Sequence, residues 1–242
     1  YEEAENPLWK SAHIGAGAST ILTPGLARLG FYVEAEPIGV LQLRAIWEWV
    51  QFFGILGHGR EFNSPEDDYS DTAIDAGEDA GLGDAAGGWH LNLEAVLRAK
   101  VGPVVIRDTF RAVYQKQQDS FGPYWYDPYY DILHANEGWY IVNDADVIAL
   151  LLDERLIVGA RYTMIHSFYD DVPETDDTPT HRLGPVIGWR FYKDPTMAFD
   201  EPTIILLANW WLKHPNRTGR DVDQAFPWLA LVFAFKGDLL TW

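Results

Sequence analysis

Trp89-His90-Leu91-Asn92-Leu93-Glu94-Ala95-Val96-Leu97-Arg98-Ala99-Lys100 is the stretch whose alternation decides the fold. One parity, Trp89, Leu91, Leu93, Ala95, Leu97 and Ala99, is apolar throughout. The other, His90, Asn92, Glu94, Arg98 and Lys100, is polar apart from Val96. Side chains alternate across a strand, so the segment separates two environments along its length. A globular strand runs about five or six residues, whereas a tilted strand crossing a bilayer needs about nine to eleven. The expected fold is therefore all-β, a transmembrane antiparallel up-and-down barrel.

The same rhythm recurs through the 242 residues, which are read as one domain, 1–242. Ten strands are expected: Trp9 to Leu22, Leu26 to Glu36, Val40 to Ile55, Trp89 to Val101, Val104 to Gln117, Trp139 to Leu152, Leu156 to Phe168, His181 to Tyr192, Thr203 to Lys213 and Pro227 to Leu239. The joints alternate in length. Those at Pro37-Ile38-Gly39, Gly102-Pro103, Asp153-Glu154-Arg155 and 193–202 are tight or moderate, and most carry Gly or Pro turn formers. Joints 56–88, 118–138 and 169–180 are long, 214–226 is intermediate and 23–25 is short. Short turns at one rim and long loops at the other match a bacterial outer-membrane barrel with both termini periplasmic.

Composition agrees. There is no cysteine, so disulfides, thiolate nucleophiles and Cys-ligated metals are excluded. Eleven Trp, twelve Tyr and twelve Phe coexist with a mean hydropathy of only −0.16, and no run of 18 apolar residues exists. That excludes helical spans, while a barrel strand needs apolar residues on one face alone. The opening Tyr1-Glu2-Glu3-Ala4-Glu5-Asn6 has neither a basic nor an apolar leader region, as expected after processing of an exported protein.

Parity assigns an inward set of mixed charge: Arg28, Glu34, Arg44, Glu48, Glu94, Arg98, Arg107, Arg111, Asp144, Asp146, Arg161, Arg182 and Arg190. An arginine at the lipid midplane costs about 2–4 kcal/mol, so register should be firm. Asp108 and Asn143 fall on the apolar parity, which calls for a bulge or a rim position. Ten strands enclose a narrow lumen, and these charges are expected to pair across it as a plug; a selective narrow channel is the alternative. Trp9, Trp47, Trp49, Trp89, Trp139, Trp189, Trp210 and Trp211 lie where an aromatic girdle belongs.

Three long joints carry −17 of the formal net charge of −18. They disfavour nucleic acid as a partner. The runs 66–71 and 170–177 offer oxygen ligands for weak divalent-cation binding, but neither follows an EF-hand pattern, and a solvated loop is the expectation. The bias of 61–88 towards Asp, Glu, Ala and Gly marks it as the candidate mobile loop. The run 121–130 is rich in aromatics; Tyr124, Trp125, Tyr126, Tyr129 and Tyr130 either pack on the barrel mouth, sit in the headgroup belt or contact a partner.

The closing Pro227-Trp228-Leu229-Ala230-Leu231-Val232-Phe233-Ala234-Phe235, with Trp242, resembles the terminal strand of Gram-negative outer-membrane β-barrels. Trp242 is out of phase, and Lys236 and Asp238 interrupt the tail, so a bulge or extension is expected there. Phe52-Phe53-Gly54 followed by Asp68-Tyr69-Ser70-Asp71 is similar to uncharacterised small barrels of gliding and predatory bacteria. The resemblance implies an outer-membrane location, lipid and lipopolysaccharide as surroundings and a protein partner in the envelope. GxSxG, P-loop and HExxH motifs are all absent. His166-Ser167 with Asp170-Asp171, and His134 with Asp131, lie where omptin proteases keep their rim residues, but the omptin His motif and the outer-membrane phospholipase signature are missing. The reading is a non-enzymatic anchor, scaffold or surface contact of an envelope complex, without metal or cofactor. A porin-like channel and an omptin-like or lipase-like rim hydrolase using His166 are the alternatives.

Overall fold

A computed structural model describes residues 12–55, 60–82, 85–117, 122–169, 179–194, 197, 199–219 and 226–236. In chain order the elements are β1 (His13–Leu22), β2 (Leu26–Ile38), β3 (Leu41–Phe52), β4 (Glu61–Phe62), α1 (Asp71–Asp79), β5 (Ala86–Val101), β6 (Val104–Gln117), β7 (Tyr124–Asp127), β8 (Ile132–Ala135), β9 (Glu137–Leu151), β10 (Leu156–Ser167), β11 (Thr180–Arg190), β12 (Asp200–Lys213) and β13 (Trp228–Lys236). Ten of the strands form one sheet in the order β1-β2-β3-β5-β6-β9-β10-β11-β12-β13, and β4-β7-β8 form a second.

All ten expected strands are present and form one antiparallel sheet. Within the described residues its order is linear, with β1 and β13 at its two ends. Strand starts and ends shift by up to three residues from the expectation within the described regions; residues 9–11 and 237–239 lie outside them. Gly102, at φ 58°, turns β5 into β6 where the backbone must be left-handed. The turn from β9 to β10 holds Leu152, Asp153 and Glu154 in the same region at φ 52°, 54° and 66°. Asp108 and Asn143 keep the apolar parity inside continuous strands, both partly buried. Register shifts occur at Ala35/Ile38, His181/Arg182 and Asp200/Thr203.

Two compact units emerge, and β5, β6, β9 and β10 contribute a segment to each. The first contains Tyr1–Leu97, Thr109–Asn143 and Ile165–Pro179. Its strands present Leu29, Phe31, Val33, Leu43, Trp49 and Phe110 as exposed side chains on the apolar parity. The opposite parity holds Glu48, His90, Gln115, Gln117 and Tyr140, all buried. The small sheet lies against that second face, and α1 packs on the small sheet. Trp125 of β7 packs with Leu26, Val50 and Phe52, and Phe62, Tyr69, Ile74, Tyr126 and Leu133 form a second core.

This corrects the expectation of a loop over 61–88. Ser70 caps α1, its Oγ accepting from Ala73 N. Gly81, at φ 71°, ends it with bonds from Gly81 N to Glu78 O and Leu82 N to Gly77 O. Ile74 and Gly77 are its buried contacts. Composition averaged over the segment hid these position-specific signals.

The second unit contains Arg98–Asp108, Asp144–Met164 and Thr180–Trp242. It shows the same two faces: Leu183, Ile187 and Trp189 of β11 are exposed, while Arg182 and Val186 are buried. Gly184 is required where β11 and β12 approach, since a Cβ there would lie 1.9 Å from the Ala208 carbonyl oxygen.

Candidate functional site

The chemically densest place in the first unit is where the β7–β8 hairpin meets the polar face of the sheet. His134 Nδ1 lies 3.1 Å from Ser167 Oγ, and His134 Nε2 faces Asp127 Oδ2 at 3.7 Å. Asp127 Oδ1 accepts from Tyr129 N at 2.8 Å and Tyr130 N at 3.4 Å, closing the hairpin turn. Asp131 takes the left-handed position of that turn at φ 55° and accepts 2.8 Å from Tyr126 Oη. Gln115 Nε2 donates to Ala135 O at 2.7 Å, Gln117 N donates to Asn136 O at 2.9 Å, and Gln117 Nε2 meets His90 Nε2 at 3.1 Å. Tyr169 Oη donates to Leu133 O at 2.6 Å.

Burial alone would raise the Asp127 carboxyl. The His134 ring, the Arg28 guanidinium and the Tyr129 amide outweigh it and hold the group below the usual carboxylate range. Ser167, His134 and Asp127 are the residue types of a nucleophilic relay. Yet they are 2 %, 0 % and 1 % exposed. The His134 ring is covered by Tyr140 at 4.1 Å and Trp125 at 5.4 Å. In this conformation Ser167 Oγ is buried, and the trio ties the hairpin to the sheet.

The inward charges make these contacts within each unit. In the first unit Glu34 accepts from Arg44 at 2.7 Å, Arg44 lies 3.6 Å from Glu94, and Glu94 accepts from Arg111 at 2.9 Å. Arg28 and Glu48 belong to the hairpin cluster, where Glu48 also accepts from Ser19 Oγ at 3.4 Å. In the second unit Asp146 is clasped by Arg107 at 3.0 Å and Arg161 at 2.7 Å. Asp144 accepts from Thr163 at 2.6 Å. Arg190 lies 3.4 Å from both Glu154 and Glu201. Lys100, also bonded to Glu154, holds that carboxyl below its ordinary range. Arg182 is buried over the rings of Trp228 at 4.0 Å and Trp211 at 5.3 Å. Arg98 is exposed near the end of β5.

Of the five aromatics read as packing or contact residues, Trp125, Tyr126 and Tyr130 are buried and Tyr124 packs on the second core. Tyr129 is 52 % exposed. His166 packs its ring on Phe168 at 4.5 Å, and its neighbour Ser167 is the one that meets His134. Among the described residues no group of three or more acidic, His or Cys side chains could hold a metal. The run 170–177 lies outside the described residues. Sequence reading missed Asp127, His90 and Gln117 as a group. Their only local signal was the Asp127-Pro128 turn inside an aromatic run. No family model, no curated protein and no solved structure matches this chain.

Proposed function

We propose that this chain is a closed ten-stranded barrel of a bacterial outer membrane that works without catalysis, as an anchor or scaffold contacting another envelope component. One observation carries the reading. Strand after strand leaves large apolar side chains exposed on one parity, with Leu29 at 56 %, Phe31 at 65 % and Val33 at 58 %, while the other parity holds ion pairs. Water does not tolerate such a surface, and a hydrocarbon solvent does. The apolar run of β5 from Trp89 to Ala99 supports it. Ten residue steps of about 3.3 Å at a tilt of about 40° give a band of roughly 25 Å, the height expected for an outer-membrane barrel.

The ion pairs and the hairpin docked on the polar face favour a closed lumen over a channel. The acidic joints are the surface left to contact a partner, and Tyr129 is an exposed aromatic within one of them. Requirement for detergent and a heat-modifiable gel mobility are expected; a monomer that stays soluble in plain buffer overturns the reading. Planar-bilayer recording is expected to give no steady conductance, and a porin-sized current selects the channel instead. The Ser167–His134–Asp127 trio favours a hydrolytic alternative, which labelling of Ser167 by a fluorophosphonate would support and absence of labelling would exclude.

A further inference from the structure

On the apolar face of the first unit, two rows of side chains run next to each other near the strand ends that lead into the long joints. The first row is aromatic. Trp49 stands opposite Trp89 in register, Trp89 lies 5.5 Å from Tyr114, and Tyr114 lies 5.3 Å from Trp139. Two residues along each strand comes a polar row of Gln51, Gly87, Lys116 and Glu137, with Gln51 opposite Gly87. Lys116 Nζ donates to Glu137 Oε2 at 2.6 Å, and Tyr114 Oη donates to Glu137 Oε1 at 2.7 Å.

Gly87 leaves a gap in that polar row. An open cavity of about 620 Å³ lies there, walled by Trp49, Gln51, Trp89 and Lys116, with Val50, Gly88 and Gln117 at its base and Glu137 just outside it, behind Lys116. The gap is enforced by the backbone: a Cβ at Gly87 would lie 2.7 Å from the Val50 carbonyl oxygen and 2.8 Å from Gln51 Oε1. An aromatic row bordered by polar residues is the arrangement of a membrane–water boundary. On the membrane reading proposed above, the cavity therefore opens at headgroup depth. Its indole walls suit the carbon stem of a lipid. The Lys116 ammonium suits a phosphate, and the Glu137 carboxylate beside it suits an ammonium. Adjacent charges of both signs match a zwitterion, and the acidic joints disfavour a multiply anionic headgroup.

We propose that this cavity binds one phosphoethanolamine lipid headgroup, with its phosphate on Lys116 and its ammonium towards Glu137. The test is native mass spectrometry of the full chain in detergent, titrated with phosphatidylethanolamine, phosphatidylglycerol, and lipid A with and without Mg²⁺. Wild type should retain phosphatidylethanolamine in preference to the other two. Lys116→Gln should weaken that retention about fivefold, the effect of one cationic contact near lipid headgroups. Glu137→Gln should shift preference towards phosphatidylglycerol. Gly87→Leu should abolish retention, and because its Cβ strains the backbone, the two charge variants stand independently of it. Equal retention in wild type and both charge variants overturns the site, as does a wild-type preference for lipid A with Mg²⁺. Heat-modifiable mobility is read on the same samples. If it persists while retention is unchanged, the cavity assignment fails alone; if wild type lacks it, the membrane reading fails.

Discussion

Asp146→Ala is the sharpest probe of the charge-bearing face. Asp146 has a fully buried side chain and accepts four bonds: Arg161 Nε at 2.7 Å on Oδ1, then Arg161 Nη2 at 3.0 Å, Arg107 Nε at 3.1 Å and Arg107 Nη2 at 3.0 Å on Oδ2. Removing one partner of a buried ion pair costs about 3–5 kcal/mol, because the other charge is left without compensation. Here the arginines are 45 % and 23 % exposed, so each recovers part of its hydration once the carboxylate is gone. We expect a loss of about 2–3 kcal/mol after that discount. Arg107→Ala should cost less, about 1 kcal/mol, since Asp146 keeps Arg161. Replacing all three, as Arg107→Leu, Asp146→Leu and Arg161→Met, should recover most of the loss, because an apolar set of similar volume leaves no buried charge. Urea unfolding in detergent micelles, followed by tryptophan fluorescence, measures the series. Glu66→Ala, at an exposed position, is the reference and should stay within about 0.5 kcal/mol of wild type. Equal unfolding midpoints for Asp146→Ala and Glu66→Ala would refute the assignment of Asp146 to the buried face.

The hairpin makes further predictions. Trp125→Ala removes a ring that is 0 % exposed and should cost about 3–5 kcal/mol, whereas Tyr129→Ala should leave stability unchanged by the same urea assay. If Tyr129→Ala alone loses association with an envelope partner in a native-membrane pull-down, the exposed ring is the contact; wild-type recovery places the contact elsewhere on the loops. The depressed Asp127 carboxyl contributes stability that is present above its unfolded pKa and is lost as pH falls through its lower folded value. Hydrogen exchange at the Tyr129 and Tyr130 amides should thus stay slow at neutral pH and accelerate only below the ordinary carboxylate range. Asp127→Ala, which removes the acceptor of both amides, should exchange quickly even at neutral pH. Gly184→Ala should fail to assemble, because its Cβ collides with the Ala208 carbonyl; wild-type yield of folded protein would contradict the β11–β12 register.

By itself the sequence determined the strands. The two-residue period is a local property: Leu183, Ile187 and Trp189 against Arg182, Gly184 and Gly188 can be read without knowing any neighbour, and all ten strands of the large sheet were legible that way. Charge placement followed, since a one-residue slip would turn every arginine of a strand to the apolar side. Tertiary structure alone decided which charges meet. Parity put Arg44, Glu94, Arg107 and Asp146 on one face but could not say that Arg44 reaches Glu34 and Glu94 while Asp146 takes both Arg107 and Arg161. It also decided the fate of the long joints. His134 meets Ser167 across 33 residues, and Trp125 meets Phe52 from another strand, contacts with no periodic trace in the chain. Aromatic and acidic residues in such a joint are equally compatible with facing solvent, lipid or the sheet. The course of the hairpin onto the sheet follows from the apolar area that Trp125 buries against Leu26, Val50 and Phe52, which exists only once the strands are assembled.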